Sequence, residues 1–332
     1  MSQLAVFISR PVFADIIDRL RAHFDVRTHD GEAPLSQPEL IAALQGCAGV
    51  FITGSEKIDS VLLDACPQLK AVCSMAVGYN NIDVPACTAR GVVVTNAPGV
   101  LTETTADFGF ALMMATARRI CESERFLREG RWKHWGVQMF AGGDVHGATL
   151  GILGMGRIGQ AIARRGHGGF GMKVAYHNRS RLAADVEAAL GATWMTLPDL
   201  LQVVDHLVIV TPYSAQTHHL IGTEQLKLMK PTATLTNIAR GGVVDDAALA
   251  AALAAGTIAA AGLDVFEGEP TVNPALLALR NVVLTPHIAS ASVPTRRAMA
   301  NLAVDNLLAA LGVGPDSGRP PTALNPEVLK PQ

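Results

Sequence analysis

Three side chains of complementary chemistry lie in the second half of the chain, each just past an apolar, strand-like run: Arg240 in segment 237–245, Glu269 in segment 261–270 and His287 in segment 284–290. An arginine binds a carboxylate through charge-assisted hydrogen bonds and polarises a neighbouring carbonyl. A histidine exchanges a proton near neutral pH, and a carboxylate beside it favours the protonated ring and fixes its orientation. Together these groups suit hydride addition to a ketone that stands next to a carboxylate, with protonation of the resulting alkoxide. In that scheme Arg240 binds and polarises, His287 is the acid of reduction and the base of oxidation, and Glu269 is its partner. Singly, each has an ordinary explanation: a surface charge, a turn residue before Pro270, a loop histidine after Pro286. Their shared position groups them, because ligands of an open α/β sheet bind beyond the carboxyl ends of its strands.

A hydride needs a donor, and the chain carries the matching motif. Gly154, Met155, Gly156, Arg157, Ile158 and Gly159 follow the apolar run 150–153 and open a helical pattern. Between a strand and a helix, such a glycine loop reads as a dinucleotide site. Gly154 permits the tight turn, Gly156 admits the pyrophosphate, and Gly159 lets helix and strand pack closely. The residue that reads the adenosine ribose is expected about 20 residues further on. An NAD-specific site would hold Asp or Glu there, but this chain has Asn178, followed by Arg179 and Ser180, with Arg181 nearby. A neutral side chain followed by a guanidinium and a hydroxyl suits a 2′-phosphate. NADP(H) is therefore the expected preference, with NAD(H) possible.

The elements that must position these groups are legible as alternating periodicities. Residues 4–8, 24–28, 49–53, 69–73 and 92–95 read as strands, 12–24 as a helix, and Ser36 with Glu39 as a capping box. Residues 99–119 form an apolar helix expected to bridge two domains, and 131–147, with Trp132 and Trp135, is irregular and suited to an interface. Six further strands are expected at 149–153, 173–177, 206–210, 233–238, 259–265 and 282–285, and the proline-rich tail from 312 is expected to run extended across the surface. The fold class expected is α/β, with two Rossmann-like, doubly wound parallel sheets.

The 332 residues, 49% hydrophobic and 17% charged, provide for two packed cores and exclude disorder. A net charge of −2 gives no basic field for nucleic acid. The uncharged run between Asp246 and Asp264 reads as a helix and a buried strand, too short for the roughly 20 residues of a membrane span. Five cysteines without a CxxC spacing read as free buried thiols, and the N-terminal segment shows no signal-peptide pattern, so a cytoplasmic location is expected. His218 and His219 show no metal-ligand spacing and read as part of a solvated loop; no metal is expected.

The motifs, in their order, resemble the D-isomer-specific 2-hydroxyacid dehydrogenase family. The matching segments are 77–83 (Val-Gly-Tyr-Asn-Asn-Ile-Asp), 150–159, 237–242, 264–270 and Pro286-His287. Segments 178–180 and 144–147 are similar to those of glyoxylate/hydroxypyruvate reductases and 2-ketogluconate reductases. The resemblance implies a flavodoxin-like substrate domain from residues 1–100 plus 291–332 and an NADP-binding Rossmann domain at 101–290, with the active site in a cleft between them. It implies that the backbone at Val77 and Gly78 grips the substrate carboxylate alongside Arg240, with Ser290 close to substrate and cofactor. It places Thr104, Thr211, Pro212, Ile238, Ala239, Arg240, Asp264 and His287 along the dinucleotide. Segment 120–147 corresponds to a dimerisation arm, so a homodimer is expected, with Trp135, Met139 and Phe140 as residues that reach the partner. The expected partner otherwise is a small 2-keto or 2-hydroxy acid. The alternatives are a non-catalytic, dinucleotide-sensing corepressor-like protein, or a phosphoglycerate or formate dehydrogenase of the same fold.

Overall fold

Short runs of β-branched and apolar residues become the strands of two separate parallel sheets. The computed structural model describes residues 3–329. The chain divides into two compact units, one built from residues up to Leu101 together with those from Ser292 onward, the other from Thr102–Ala291.

In the first unit, β1 (Ala5–Ile8), β2 (Asp25–Thr28), β3 (Cys47–Ile52), β4 (Ala71–Ser74) and β5 (Val93–Thr95) pair in the order β2-β1-β3-β4-β5, all parallel. This is the flavodoxin-like order. β1, β3 and β4 are buried throughout and therefore read as unbroken apolar runs, whereas edge strand β2 is half-exposed. The first helix, Ala14–Arg21, is shorter than its apolar pattern suggested. The capping box is present, with the Ser36 N–H donating to Glu39 Oε2 at 2.8 Å. The tail returns to the sheet: Ala323 bridges Thr95 antiparallel, and the buried Asn325 side chain accepts from the Val94 N–H (2.8 Å) and donates to the Val92 carbonyl (2.9 Å).

The second unit holds β6 (Thr149–Leu153), β7 (Lys173–His177), β8 (Ala192–Trp194), β9 (His206–Ile209), β10 (Thr234–Asn237), β11 (Ala260–Leu263) and β12 (Val282–Leu284). Their order is β12-β11-β10-β9-β6-β7-β8, again all parallel. The chain winds from β6 outward to β8, then crosses to β9 on the other side of β6. That reversal is the topological switch point, the place where such sheets bind dinucleotides. Only six strands were expected here. The seventh, β8, has three residues at the sheet edge with Thr193 exposed, so it carries no apolar run to read. The helix Thr102–Ala117 is buried along most of its length. Arg119, in the left-handed region at φ 55°, separates it from a second helix, Ile120–Arg128, which has no buried residue. Among the described residues no helix is long and apolar enough to cross a membrane, and the five cysteines are free, four of them buried.

Candidate active site

The glycine loop joins β6 to the helix Arg157–Phe170 at the switch point. Gly154 has φ +105°, and a Cβ there would stand 2.6 Å from the Thr211 nitrogen. A Cβ on Gly159 would meet the Gly154 carbonyl oxygen at 2.3 Å, so the helix approaches the strand too closely for any side chain. A Cβ on Gly156, in contrast, would meet nothing within 4 Å. Gly156 also caps the helix with no side-chain hydrogen bond, which leaves first-turn N–H groups, Arg157 and Ile158 included, without a side-chain cap. Open space over an uncapped helix N-terminus fits a pyrophosphate.

Asn178, the residue just past β7, has an unexpected role. Its Oδ1 accepts the Met155 N–H at 2.7 Å, so the side chain fastens the glycine loop, while its backbone carbonyl accepts from Trp194 Nε1 at 3.1 Å. Arg179 and Ser180 are exposed, and Arg179 has no hydrogen-bond or ion-pair partner among the described residues. Arg181 is taken: its guanidinium donates to both oxygens of the buried Glu187, at 2.9 and 2.7 Å. Of the side chains expected near a 2′-phosphate, the structure leaves Arg179 and Ser180 available and withholds Arg181.

The chemical groups gather beyond β10, β11 and β12. Asn237, the last residue of β10, braces the turn that follows: its side chain accepts the Ala239 N–H at 3.0 Å and donates to the Arg240 carbonyl at 3.2 Å. A Cβ on Gly241 would lie 1.7 Å from the Phe266 carbonyl oxygen, so the Arg240 turn runs backbone to backbone against the loop carrying Glu269. Arg240 Nη1 donates to the Ala239 carbonyl at 2.7 Å. Burial pushes its guanidinium below the ordinary arginine value, and the charge of Glu269 acts in the opposite sense. Glu269 accepts the Phe266 N–H at 2.8 Å through Oε1 and pairs with His287 Nδ1 at 2.7 Å through Oε2. Burial opposes its ionisation, but the His287 hydrogen bond and charge, the Phe266 amide and the charge of Arg240 hold its carboxyl below the usual glutamate range.

His287 sits at φ 55°, a conformation unusual for a non-glycine residue. The fully buried Asp264 secures it. The Asp264 carbonyl accepts the His287 N–H at 2.9 Å, and its carboxylate accepts from the Thr285 hydroxyl, the Ile288 N–H and the Ala289 N–H, each at 2.8 Å. Asp264 thus shapes the loop that presents His287 and Ser290. The motif flagged Asp264, but nothing in its spacing flagged Thr285, Asn237 or the backbone contact at Gly241. Around the dinucleotide loop, Thr211 follows β9 directly against Gly154, with Pro212 exposed beside it; Ile238 and Ala239 are buried; and Thr104 is half-buried on the helix Thr102–Ala117.

Val77 and Gly78 belong to the first unit, in the half-buried loop after β4. Asn96 Nδ2 donates to the Val77 carbonyl at 2.7 Å. Across a trans peptide the Gly78 N–H points the opposite way, away from Asn96. The neighbouring loop is set by Glu56, 5% exposed, which accepts from the Ser9 hydroxyl (2.7 Å) and the N–H groups of Thr53, Gly54 and Ser55. Sequence reading missed this carboxylate, since one glutamate in a loop has no distinguishing spacing.

His218 and His219 are not simply solvated. Tyr213 Oη lies 3.2 Å from His218 Nδ1, and His219 Nε2 is 3.0 Å from Glu267 Oε1. Among the described residues these two histidines and Glu267 are the group whose ligand atoms come within 4.8 Å. The rings, however, stack 3.9 Å apart at 24°, so their lone pairs lie in two nearly parallel planes, a poor arrangement for tetrahedral ligation of one cation.

Comparison with known proteins agrees with this geometry. Residues 110–289 match the D-isomer specific 2-hydroxyacid dehydrogenase, NAD binding domain. The chain is 48% identical over 328 residues to a glyoxylate reductase of Thermococcus onnurineus, covering 98% of this chain and 96% of that one. It is 48% identical over 308 residues to glyoxylate/hydroxypyruvate reductase B of Yersinia pestis, covering 92% and 94%. It superposes with a TM-score of 0.86 and 38% identity, over 100% of this chain and 99% of the other, on an NADPH-dependent glyoxylate/hydroxypyruvate reductase from Sinorhizobium meliloti solved in complex with NADP and malonate. With its dinucleotide loop and its arginine, glutamate and histidine at the ends of one sheet, the chain belongs to the D-isomer specific 2-hydroxyacid dehydrogenase family and is an NAD(P)-dependent enzyme that reduces 2-keto acids.

Proposed function

We propose that this enzyme reduces a small 2-keto acid of the glyoxylate, hydroxypyruvate or 2-ketogluconate kind to the D-2-hydroxy acid, that it prefers NADPH to NADH, and that His287 supplies the proton. The observation that carries the chemistry is the 2.7 Å pairing of His287 Nδ1 with Glu269 Oε2 beside the half-buried Arg240. The bound dinucleotide supplies a hydride to the carbonyl carbon. Arg240 binds the substrate carboxylate and draws charge onto the ketone oxygen. Because Nδ1 is committed to Glu269, the proton that neutralises the alkoxide leaves from His287 Nε2, and Glu269 keeps the ring oriented for that transfer. Ser290, three residues after the histidine, would line the nicotinamide end of the site, and the buried Asp264 holds that loop through its hydrogen bonds.

The preference for NADPH is supported by an exposed Arg179 and Ser180 where a carboxylate would otherwise repel the 2′-phosphate. Glyoxylate, hydroxypyruvate, 2-ketogluconate and phenylpyruvate, each assayed with both cofactors, test the reading. The highest kcat/KM is expected for one of the first three with NADPH; equal or better efficiency with NADH would overturn the cofactor assignment.

The enzyme is also proposed to act as a homodimer through residues 120–147. Ile120, Leu127, Trp132, Trp135 and Val137 are each more than half exposed, and large apolar side chains left in water are what protein interfaces cover. Phe140, half-buried, packs its ring 5.1 Å from that of Phe126, which joins the helix Ile120–Arg128 to the irregular segment after it.

A further inference from the structure

The loop between β7 and the helix Ala184–Leu190 is tied on both sides of its exposed tip. Before the tip, Asn178 is held by the Met155 N–H and by Trp194. After it, the ties converge on two buried groups, Tyr176 and Glu187. The Tyr176 hydroxyl accepts the Leu182 N–H at 2.8 Å and donates to Glu187 Oε1 at 2.7 Å. Arg181 donates to Oε1 from Nε at 2.9 Å and to Oε2 from Nη2 at 2.7 Å. Glu187 is therefore a carboxylate with its charge compensated and its oxygens occupied, and Arg179 and Ser180, unlike Arg181, are exposed with no side-chain partner among the described residues.

We propose that the Tyr176–Glu187–Arg181 cluster is a specificity-determining brace, which holds the loop so that Arg179 and Ser180 alone meet a 2′-phosphate. This deepens the NADPH assignment and rests on it. The physical reason is preorganisation. A loop fixed in its binding conformation loses less freedom when the phosphate arrives, and an arginine locked to a neighbouring carboxylate keeps that negative charge from repelling the ligand. Arg181, which follows these two residues in sequence, acts in this arrangement as a positioning residue.

The test separates the phosphate from the rest of the dinucleotide. Binding of 2′,5′-ADP and of 5′-ADP is measured by titration calorimetry for the native chain and for Glu187→Gln, Tyr176→Phe and Arg179→Ala. Glu187→Gln and Tyr176→Phe are expected to weaken 2′,5′-ADP about five- to tenfold while 5′-ADP stays within about twofold, since only the former touches the loop tip. Tyr176→Phe removes one hydroxyl from a buried ring of nearly the same shape, so it folds even if Glu187→Gln does not. If both ligands weaken in parallel, or 2′,5′-ADP binds as well or better, the brace is overturned. The Arg179→Ala arm keeps the two claims apart. If that variant does not lower the preference for 2′,5′-ADP, the phosphate reading itself fails. If it abolishes the preference while the brace variants retain it, the phosphate reading stands and the brace fails.

Discussion

His287 Nδ1 lies 2.7 Å from Glu269 Oε2, and the same carboxylate takes the Phe266 N–H on its other oxygen. One side chain thereby orients the imidazole and is itself oriented by the backbone of the loop that carries it. The ring nitrogen left over, Nε2, is the only one able to serve a substrate.

Replacing His287 by alanine should remove the proton donor without disturbing the dinucleotide loop, which hangs on β6, β7 and β9. A loss in kcat of about 10²- to 10⁴-fold is expected, with NADPH affinity from fluorescence titration nearly unchanged. Arg240→Ala should raise KM and lower kcat together, because Arg240 acts in both ground and transition states. A His287→Ala enzyme with near-normal kcat would remove the histidine from the mechanism.

Glu269 determines the direction of a pH effect. Its carboxyl is held below the usual glutamate range and is therefore ionised at neutral pH, where it faces His287 as a negative charge. Reduction consumes a proton, so the rate falls as pH rises. Glu269→Gln deletes the negative charge, and the falling limb of kcat/KM should move to lower pH. An unshifted profile would show that the two side chains are not coupled in catalysis.

Much of this constellation was legible because its parts sit at strand ends, and buried parallel strands announce themselves as apolar runs. β6 and β7 occupy the residues expected of them, 149–153 and 173–177. What escaped reading lacks either burial or locality. β8 is too short to leave a periodic face, and the helix Ile120–Arg128 is amphipathic but buries no residue in the core. The side-chain pairings that shape the site join residues far apart in sequence, such as Asp264 with Ile288 or Met155 with Asn178. No spacing rule encodes them. Asn178 is instructive: its position was readable, but that its amide oxygen would hold the glycine loop was not.

That contact shapes a test of cofactor choice. Asn178→Asp retains an oxygen to accept the Met155 N–H, so the loop should keep its form, yet it adds a negative charge beside Arg179 and Ser180. The ratio of kcat/KM for NADPH over NADH should fall about 10- to 100-fold, the effect of roughly 1.4 to 2.8 kcal/mol. An unaltered ratio would mean that this position does not face the ribose.

The exposed apolar residues of 120–147 predict a dimer. Sedimentation of the native chain should show two copies, and Leu127→Asp combined with Val137→Asp, at side chains 56% and 82% exposed, should give monomers without unfolding either unit. A native chain that sediments as a monomer at micromolar concentration would refute the assignment.

Two glycines separate folding from binding. A Cβ on Gly241 would collide with the Phe266 carbonyl at 1.7 Å, and both partners are backbone, so neither can step aside. Gly241→Ala should cost about 1–3 kcal/mol of stability and, by forcing the Arg240 turn away from the Glu269 loop, lower kcat as well. A Cβ on Gly156 would meet no protein atom within 4 Å, so Gly156→Ala should leave the melting temperature unchanged. If the space above Gly156 receives the pyrophosphate, the same methyl group intrudes on it, and affinity for NADPH should fall at least tenfold while the fold is untouched. Melting curves and NADPH titrations of the two variants should therefore show opposite patterns. A Gly156→Ala protein that binds NADPH normally would move the pyrophosphate elsewhere.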